Sequence, residues 1–156
     1  FHINVGSDHE PDQIEELAEL TADAERLGLP VLAMAYARGP GIDETDPEAL
    51  GHAVRLAEEL GADVVKTGYS GDGDSFVRVT ESTRLPVVIA GGSKGTDRDT
   101  VEMVRGAMDG DAAGVSMGRS IFQHEDPEGI ARAVSAVVHD DASVEEALAA
   151  GGFVEA

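Results

Sequence analysis

The chain contains no cysteine, which excludes disulfide bridges, thiolate metal sites and a thiol nucleophile. Basic residues are scarce: 11 Lys and Arg stand against 31 Asp and Glu, for a net charge of -20. So anionic a surface repels nucleic-acid phosphates and anionic membranes, and neither is expected as a partner. No apolar run approaches the ~20 residues that cross a bilayer. The five histidines lack metal-site spacing, so no metal is expected, and the expected location is cytoplasmic. Linkers and low-complexity stretches are also missing, and 156 residues is the length of one ordinary domain. What the chain does have is 42% hydrophobic residues, enough to build a core and to argue against disorder.

The acids fall singly or in pairs across every helical pattern rather than in one block. That distribution reads as a salt-adapted (halophilic) surface kept solvated by its carboxylates; the alternative is docking to a cationic partner. Lysine is rarer than arginine, with only Lys66 and Lys94 against nine arginines, so each retained lysine is informative.

Hydrophobic periodicity predicts a repeated strand-then-helix unit. The strand segments are Phe1–Val5, Val31–Tyr36, Asp63–Thr67, Val87–Ala90 and Gly114–Met117. Their nearly continuous apolar character is that of parallel strands covered on both faces. Ile14, Leu17, Leu20, Ala24 and Leu27 are predicted to share the buried face of the first helix. Further helices run through Leu50–Leu60, Phe76–Val79, Val101–Met108, Ile130–Val138 and Val144–Leu148, with Thr96, Asp97 and Ser143 at helix starts. Two α/β architectures fit this alternation: a doubly wound sheet, or part of an eight-stranded barrel of ~250 residues. The second is expected. The chain opens inside a strand at Phe1, its first strand is followed by Gly6-Ser7-Asp8 rather than a dinucleotide fingerprint, and its glycine turns follow the last two strands. Residues 1–156 then form the C-terminal five βα units of a (β/α)8 TIM barrel whose N-terminal units are absent. As a free-standing piece it would expose two strand edges and fold poorly.

Lys66 lies near the carboxyl end of a strand in Val64-Val65-Lys66-Thr67-Gly68-Tyr69. Burial disfavours a charged ammonium, and a neutral amine attacks a ketone to form an imine that stabilises a carbanion at the adjacent carbon. The competing reading is a lysine that extends to solvent or pairs with Asp63. Tyr36, one of two tyrosines, ends the second strand, where its phenol can pass a proton to or from substrate oxygen or simply pack at a strand edge. Gly91-Gly92 and Gly118-Arg119 follow consecutive strands, the pattern of a phosphate site in the last two loops of a barrel, with Arg119 as charge partner. Lys94 reads as a solvated loop lysine rather than an anion ligand. Asp72-Gly73-Asp74 reads as a turn with its own Asx bonds rather than a magnesium pair, and His124 as structural. Asp8 and Arg38 are second-rank polar candidates at strand ends.

The segments Val64-Val65-Lys66-Thr67-Gly68-Tyr69-Ser70-Gly71-Asp72, Val88-Ile89-Ala90-Gly91-Gly92 and Gly118-Arg119-Ser120-Ile121-Phe122-Gln123-His124 resemble the archaeal class I aldolase family of DhnA type. The stretch Val138-His139-Asp140-Asp141-Ala142-Ser143-Val144-Glu145-Glu146-Ala147-Leu148 is more similar to the synthase branch of that family than to its fructose-bisphosphate aldolases. The resemblance implies Lys66 as Schiff-base lysine and Tyr36 as proton donor. It implies Tyr36, Ala37, Arg38, Gly91, Gly92, Gly118 and Arg119 as contacts of a sugar-phosphate donor. The implied reaction passes a ketose-phosphate fragment to L-aspartate semialdehyde, on a route to 3-dehydroquinate and aromatic amino acids. It needs no cofactor or metal, and the implied protein is a homo-oligomer. The alternatives are a class I fructose-bisphosphate aldolase and a non-catalytic sugar-phosphate-binding domain. The family's proton-acceptor aspartate sits on a first strand outside these residues, and the role does not transfer to Asp8 or Asp72. Ser93 and Ser120 depart from the proline and asparagine common in the family, and residues 151–156 have no recognised counterpart in it.

Overall fold

The computed structural model describes residues 1–92 and 95–153. Ser93, Lys94 and the last three residues lie outside them.

Five strands, β1 (His2–Val5), β2 (Leu32–Ala37), β3 (Val64–Thr67), β4 (Val87–Ala90) and β5 (Gly114–Ser116), alternate with helices. They pair in parallel in the order β1-β2-β3-β4-β5. That order decides between the two architectures, because a doubly wound sheet reverses direction at a switch point and this one never does. Right-handed crossovers that always step the same way place every helix on one face and curl the sheet toward closure. This is the barrel arrangement.

The two faces of these strands differ in burial. Ile3, Val5, Ala33, Ala35, Ala37, Val65, Thr67, Val87 and Ile89 are buried, while the residues between them, among them Asn4, Met34, Tyr36, Val64, Lys66, Val88 and Ala90, are only half-buried. The buried set faces the helices. The other set faces the concave side, the lumen in a closed barrel, and the apolar residues there gave the sequence its continuous look.

The helices are α1 (Glu10–Leu27), α2 (Pro47–Glu59), α3 (Gly73–Thr80), α4 (Asp97–Asp109), α5 (Arg119–Phe122), α6 (Pro127–Asp140) and α7 (Val144–Gly151). Their starts are chemically marked. Thr96 and Ser143 form capping boxes with Asp99 and Glu146, and Asp46, Asp72 and Asp126 accept first-turn amides. The predicted face of α1 is corrected. Leu17 and Thr21 are its buried residues, whereas Leu20 and Leu27 are 38% and 73% exposed. At about 100° per residue, Ile14, Leu17, Thr21 and Ala24 form one stripe, and Leu20 and Leu27 lie roughly 80–100° off its centre. Thr21 can point inward because its hydroxyl donates to the Leu60 carbonyl at 2.6 Å.

Thr67 has no such partner: it is fully buried at the end of β3 and its Oγ1 makes no hydrogen bond. A buried hydroxyl left unsatisfied costs about 1–3 kcal/mol. Thr67→Val, which replaces that hydroxyl with a methyl, is expected to raise stability by about 1 kcal/mol, read as a higher midpoint in urea with an unchanged slope.

Candidate active site

Lys66 pairs in register with Met34 of β2 and Val88 of β4, in the middle of the sheet and on its concave face. It is half-buried over these residues. The alternative pairing with Asp63 does not form, because that carboxylate accepts the Val31 N–H at 2.7 Å. Tyr36 stands two residues beyond Met34 on the same face of β2. Strand spacing and rise then place its Cα about 8 Å from that of Lys66, within reach of two side chains that converge on one substrate.

These side chains open into a cleft of about 710 Å³ at the carboxyl ends of the strands. Its lining includes Tyr36, Ala37, Arg38, Lys66, Gly91, Gly92, Gly118 and Arg119, which is every residue the sequence placed at the site. Residues scattered from position 36 to position 119 meet there because each one ends a parallel strand or begins the loop after it. Asp8 is not among the lining residues and lies exposed before α1.

The two glycine turns are laced into one cradle. The Ser120 hydroxyl donates to the Gly91 carbonyl at 3.0 Å. A Cβ on Gly91 would stand 2.7 Å from that oxygen, and Gly92 has a φ of +61°. The backbone can take this close, left-handed path only with glycine there.

On the opposite side of Lys66, the Arg38 guanidinium lies over the Tyr36 ring, 4.3 Å from its centroid, and the His2 ring meets the same tyrosine edge-on. Burial pushes the Tyr36 phenol above its ordinary pKa, with the Arg38 charge pulling partly the other way. The phenol is thus held protonated, as a proton donor must be. Arg38 Nε donates to Glu44 Oε2 at 3.0 Å. Glu44, Thr45, Gly68, Tyr69, Ala90, Met103, Ser116, Ser120 and Phe122 complete the lining. Sequence reasoning gave none of them a site role; Ser120 stood out only as a departure from the family's asparagine. Chain-wide, acids outnumber bases 31 to 11, yet among the described residues three cations and a single carboxylate line the cleft. A focused positive potential of this kind draws an anionic ligand through an otherwise repulsive field.

A family model for DeoC/LacD aldolases matches residues 1–124. The chain belongs to the DeoC/LacD aldolase family. It is 65% identical over 154 residues to a 2-amino-3,7-dideoxy-D-threo-hept-6-ulosonate synthase of Halobacterium salinarum, an alignment covering 99% of this chain and 58% of that protein. An archaeal fructose 1,6-bisphosphate aldolase structure superposes with a TM-score of 0.85 at 36% identity, covering 89% of this chain and 56% of the other. A second archaeal fructose-1,6-bisphosphate aldolase structure, with its catalytic lysine covalently bound to the carbinolamine intermediate of the substrate, superposes with a TM-score of 0.83 at 35% identity, covering 88% and 56%. The chain spans just over half the length of these relatives.

Within the aldolase frame, two further motifs keep the structural roles expected of them. Asp72 caps α3, accepting the Ser75 N–H at 2.8 Å and the Ser75 hydroxyl at 2.8 Å, so its carboxylate is spent on the turn. His124 braces the loop after α5: its Nε2 lies 2.7 Å from Asp97 Oδ1, and its Nδ1 lies 2.9 Å from both the carbonyl and the amide N–H of Asp126. The hydrogen bond to Asp97 holds the imidazole above its ordinary pKa, against partial desolvation. A raised folded-state pKa adds stability that is fully present below the unfolded value near 6.5 and disappears as pH rises through the folded value. Asp97→Asn is therefore expected to lower Tm most at pH 5.5–6, with a gap from the parent that narrows toward pH 8.5. Thermal melts of the two proteins across that range check it.

Proposed function

We propose that residues 1–156 form the C-terminal five βα units of a single TIM barrel. The whole protein is then a Schiff-base transaldolase-type synthase, a 2-amino-3,7-dideoxy-D-threo-hept-6-ulosonate synthase. The observation that carries this reading is the gathering of one lysine, one phenol and two laced glycine turns in a single cation-lined cleft.

The chemistry follows from those positions. The Lys66 amine adds to the carbonyl of a ketose phosphate whose phosphate rests on Gly91, Gly92, Gly118 and Arg119. The carbinolamine loses water to give a protonated imine. The β-hydroxyl proton passes to water as the bond between the α and β carbons breaks. The β carbon departs as an aldehyde carrying the phosphate, and the electron pair enters the iminium as an enamine without phosphate, as a 7-deoxy product requires. The enamine carbon attacks the aldehyde of L-aspartate semialdehyde, and Tyr36 supplies a proton to the substrate oxygen that gains charge. Water hydrolyses the new imine and returns the free amine, so no cofactor is consumed. The product leads toward 3-dehydroquinate and aromatic amino acids.

The second reading, a fructose-bisphosphate aldolase, has the two superposed aldolase structures in its favour; the synthase has the higher identity. Borohydride reduction of the full-length protein with fructose 1,6-bisphosphate should attach a sugar to the Lys66 peptide, read by mass spectrometry. Phosphate binding with no adduct would mark a non-catalytic domain instead. Product analysis separates the two enzymes: L-aspartate semialdehyde should be incorporated, and glyceraldehyde 3-phosphate should not. No helix of the described residues is long and apolar enough to cross a membrane. We place the protein in the cytoplasm as a homo-oligomer with a salt-adapted surface, acting on small-molecule sugar phosphates and aldehydes.

A further inference from the structure

We propose that Glu44 recognises the ammonium group of the acceptor and thereby selects an amino-acid aldehyde over a phosphorylated one. The inference rests on the synthase reading above.

Among the described residues that line the cleft, Glu44 is the one acid. It stands on the β2 side of Lys66, across from the glycine turns after β4 and β5. The cleft therefore has two chemically different poles. One offers glycine backbone and Arg119, suited to a phosphate. The other offers opposite charges side by side, with Arg38 Nε 3.0 Å from Glu44 Oε2. Both members of that pair are substantially exposed, at 44% and 62% of their side-chain surface. An exposed pair adds little to stability, so a ligand can engage it at little cost to the fold.

The segment that carries Glu44 is held in place. The Asp43 carboxylate accepts both the N–H of Thr45 at 2.9 Å and its hydroxyl at 2.7 Å, bonds that hold the Asp43 carboxyl below its usual pKa. Arg38 takes only one Glu44 oxygen, which leaves Oε1 to accept from a ligand. A zwitterionic amino-acid head presents an ammonium to that oxygen. A phosphorylated aldehyde presents a dianion to the same carboxylate, and like charges there select against it.

The test uses the full-length protein and Glu44→Gln, which keeps an oxygen for Arg38 and removes the charge. The KM for L-aspartate semialdehyde is expected to rise about 10- to 100-fold, the worth of a charge-assisted hydrogen bond. Turnover with glyceraldehyde 3-phosphate as acceptor should rise relative to the parent. Borohydride trapping of the sugar-phosphate donor on Lys66 should proceed as in the parent, which confines the effect to the acceptor. Unchanged acceptor KM with normal trapping overturns the role of Glu44 and leaves the synthase reading standing. Loss of trapping in Glu44→Gln alone makes Glu44 part of the donor site and also overturns the proposal. Failure of trapping in the parent removes the synthase reading, and this inference with it.

Discussion

Lys66→Arg is expected to lose turnover by on the order of 10⁴-fold or more, the scale on which removal of a covalent nucleophile is felt. Arginine is the informative replacement. It keeps a positive charge beside the glycine turns, so electrostatic attraction of a sugar phosphate persists. Its guanidinium, protonated at every accessible pH, cannot add to a ketone. The variant should therefore still bind the ketose phosphate, read by protection against thermal unfolding, and yield no borohydride adduct at position 66. If Lys66→Arg keeps even a tenth of parental turnover, the cleft does not work through an imine.

Tyr36→Phe should lower kcat by about 10²- to 10⁴-fold, the range of a positioned general acid, and should still form the adduct on Lys66. That split between slow turnover and intact trapping distinguishes a proton donor from a residue that merely packs. The pH profile carries a second readout. Because burial holds the Tyr36 phenol above its ordinary value near 10, the donor stays protonated throughout the neutral and mildly alkaline range. Any loss of activity below pH 9 must then come from another group, and it should persist unchanged in Tyr36→Phe. A basic limb below pH 9 that vanishes in the variant would assign it to Tyr36 and contradict the buried phenol.

How much of this was legible beforehand depended on the kind of signal each residue leaves. Strand and helix positions were readable, because periodicity and capping residues such as Thr96 and Ser143 act within a few residues of themselves. The first helix was readable as a helix but not in its rotation. Leucine looks like a core residue at any position, and Thr21 turns inward where the carbonyl of Leu60, just past the end of α2, accepts its hydroxyl. The strands read as apolar throughout because Met34, Val64 and Val88 lie on the concave side while their neighbours face the helices. Among site residues, Lys66 and Tyr36 stood out by rarity and the glycine turns by composition. Glu44 did not, being one of 31 acids in a loop without period, and its distinction is spatial.

The amino-acid sequence by itself determined the alternation of strands and helices, the absence of thiol chemistry, and the few residue types able to carry a reaction. These are local properties, set by side-chain chemistry and by the repeat lengths of strand and helix. Only the tertiary structure decided that the strands follow one another without reversal, that their two faces differ in burial, and that Lys66, Tyr36 and the two glycine turns meet in one cleft. Those outcomes depend on pairings between segments about 20 to 30 residues apart, whose geometry is settled by how the strands dock and not by any stretch of the chain alone.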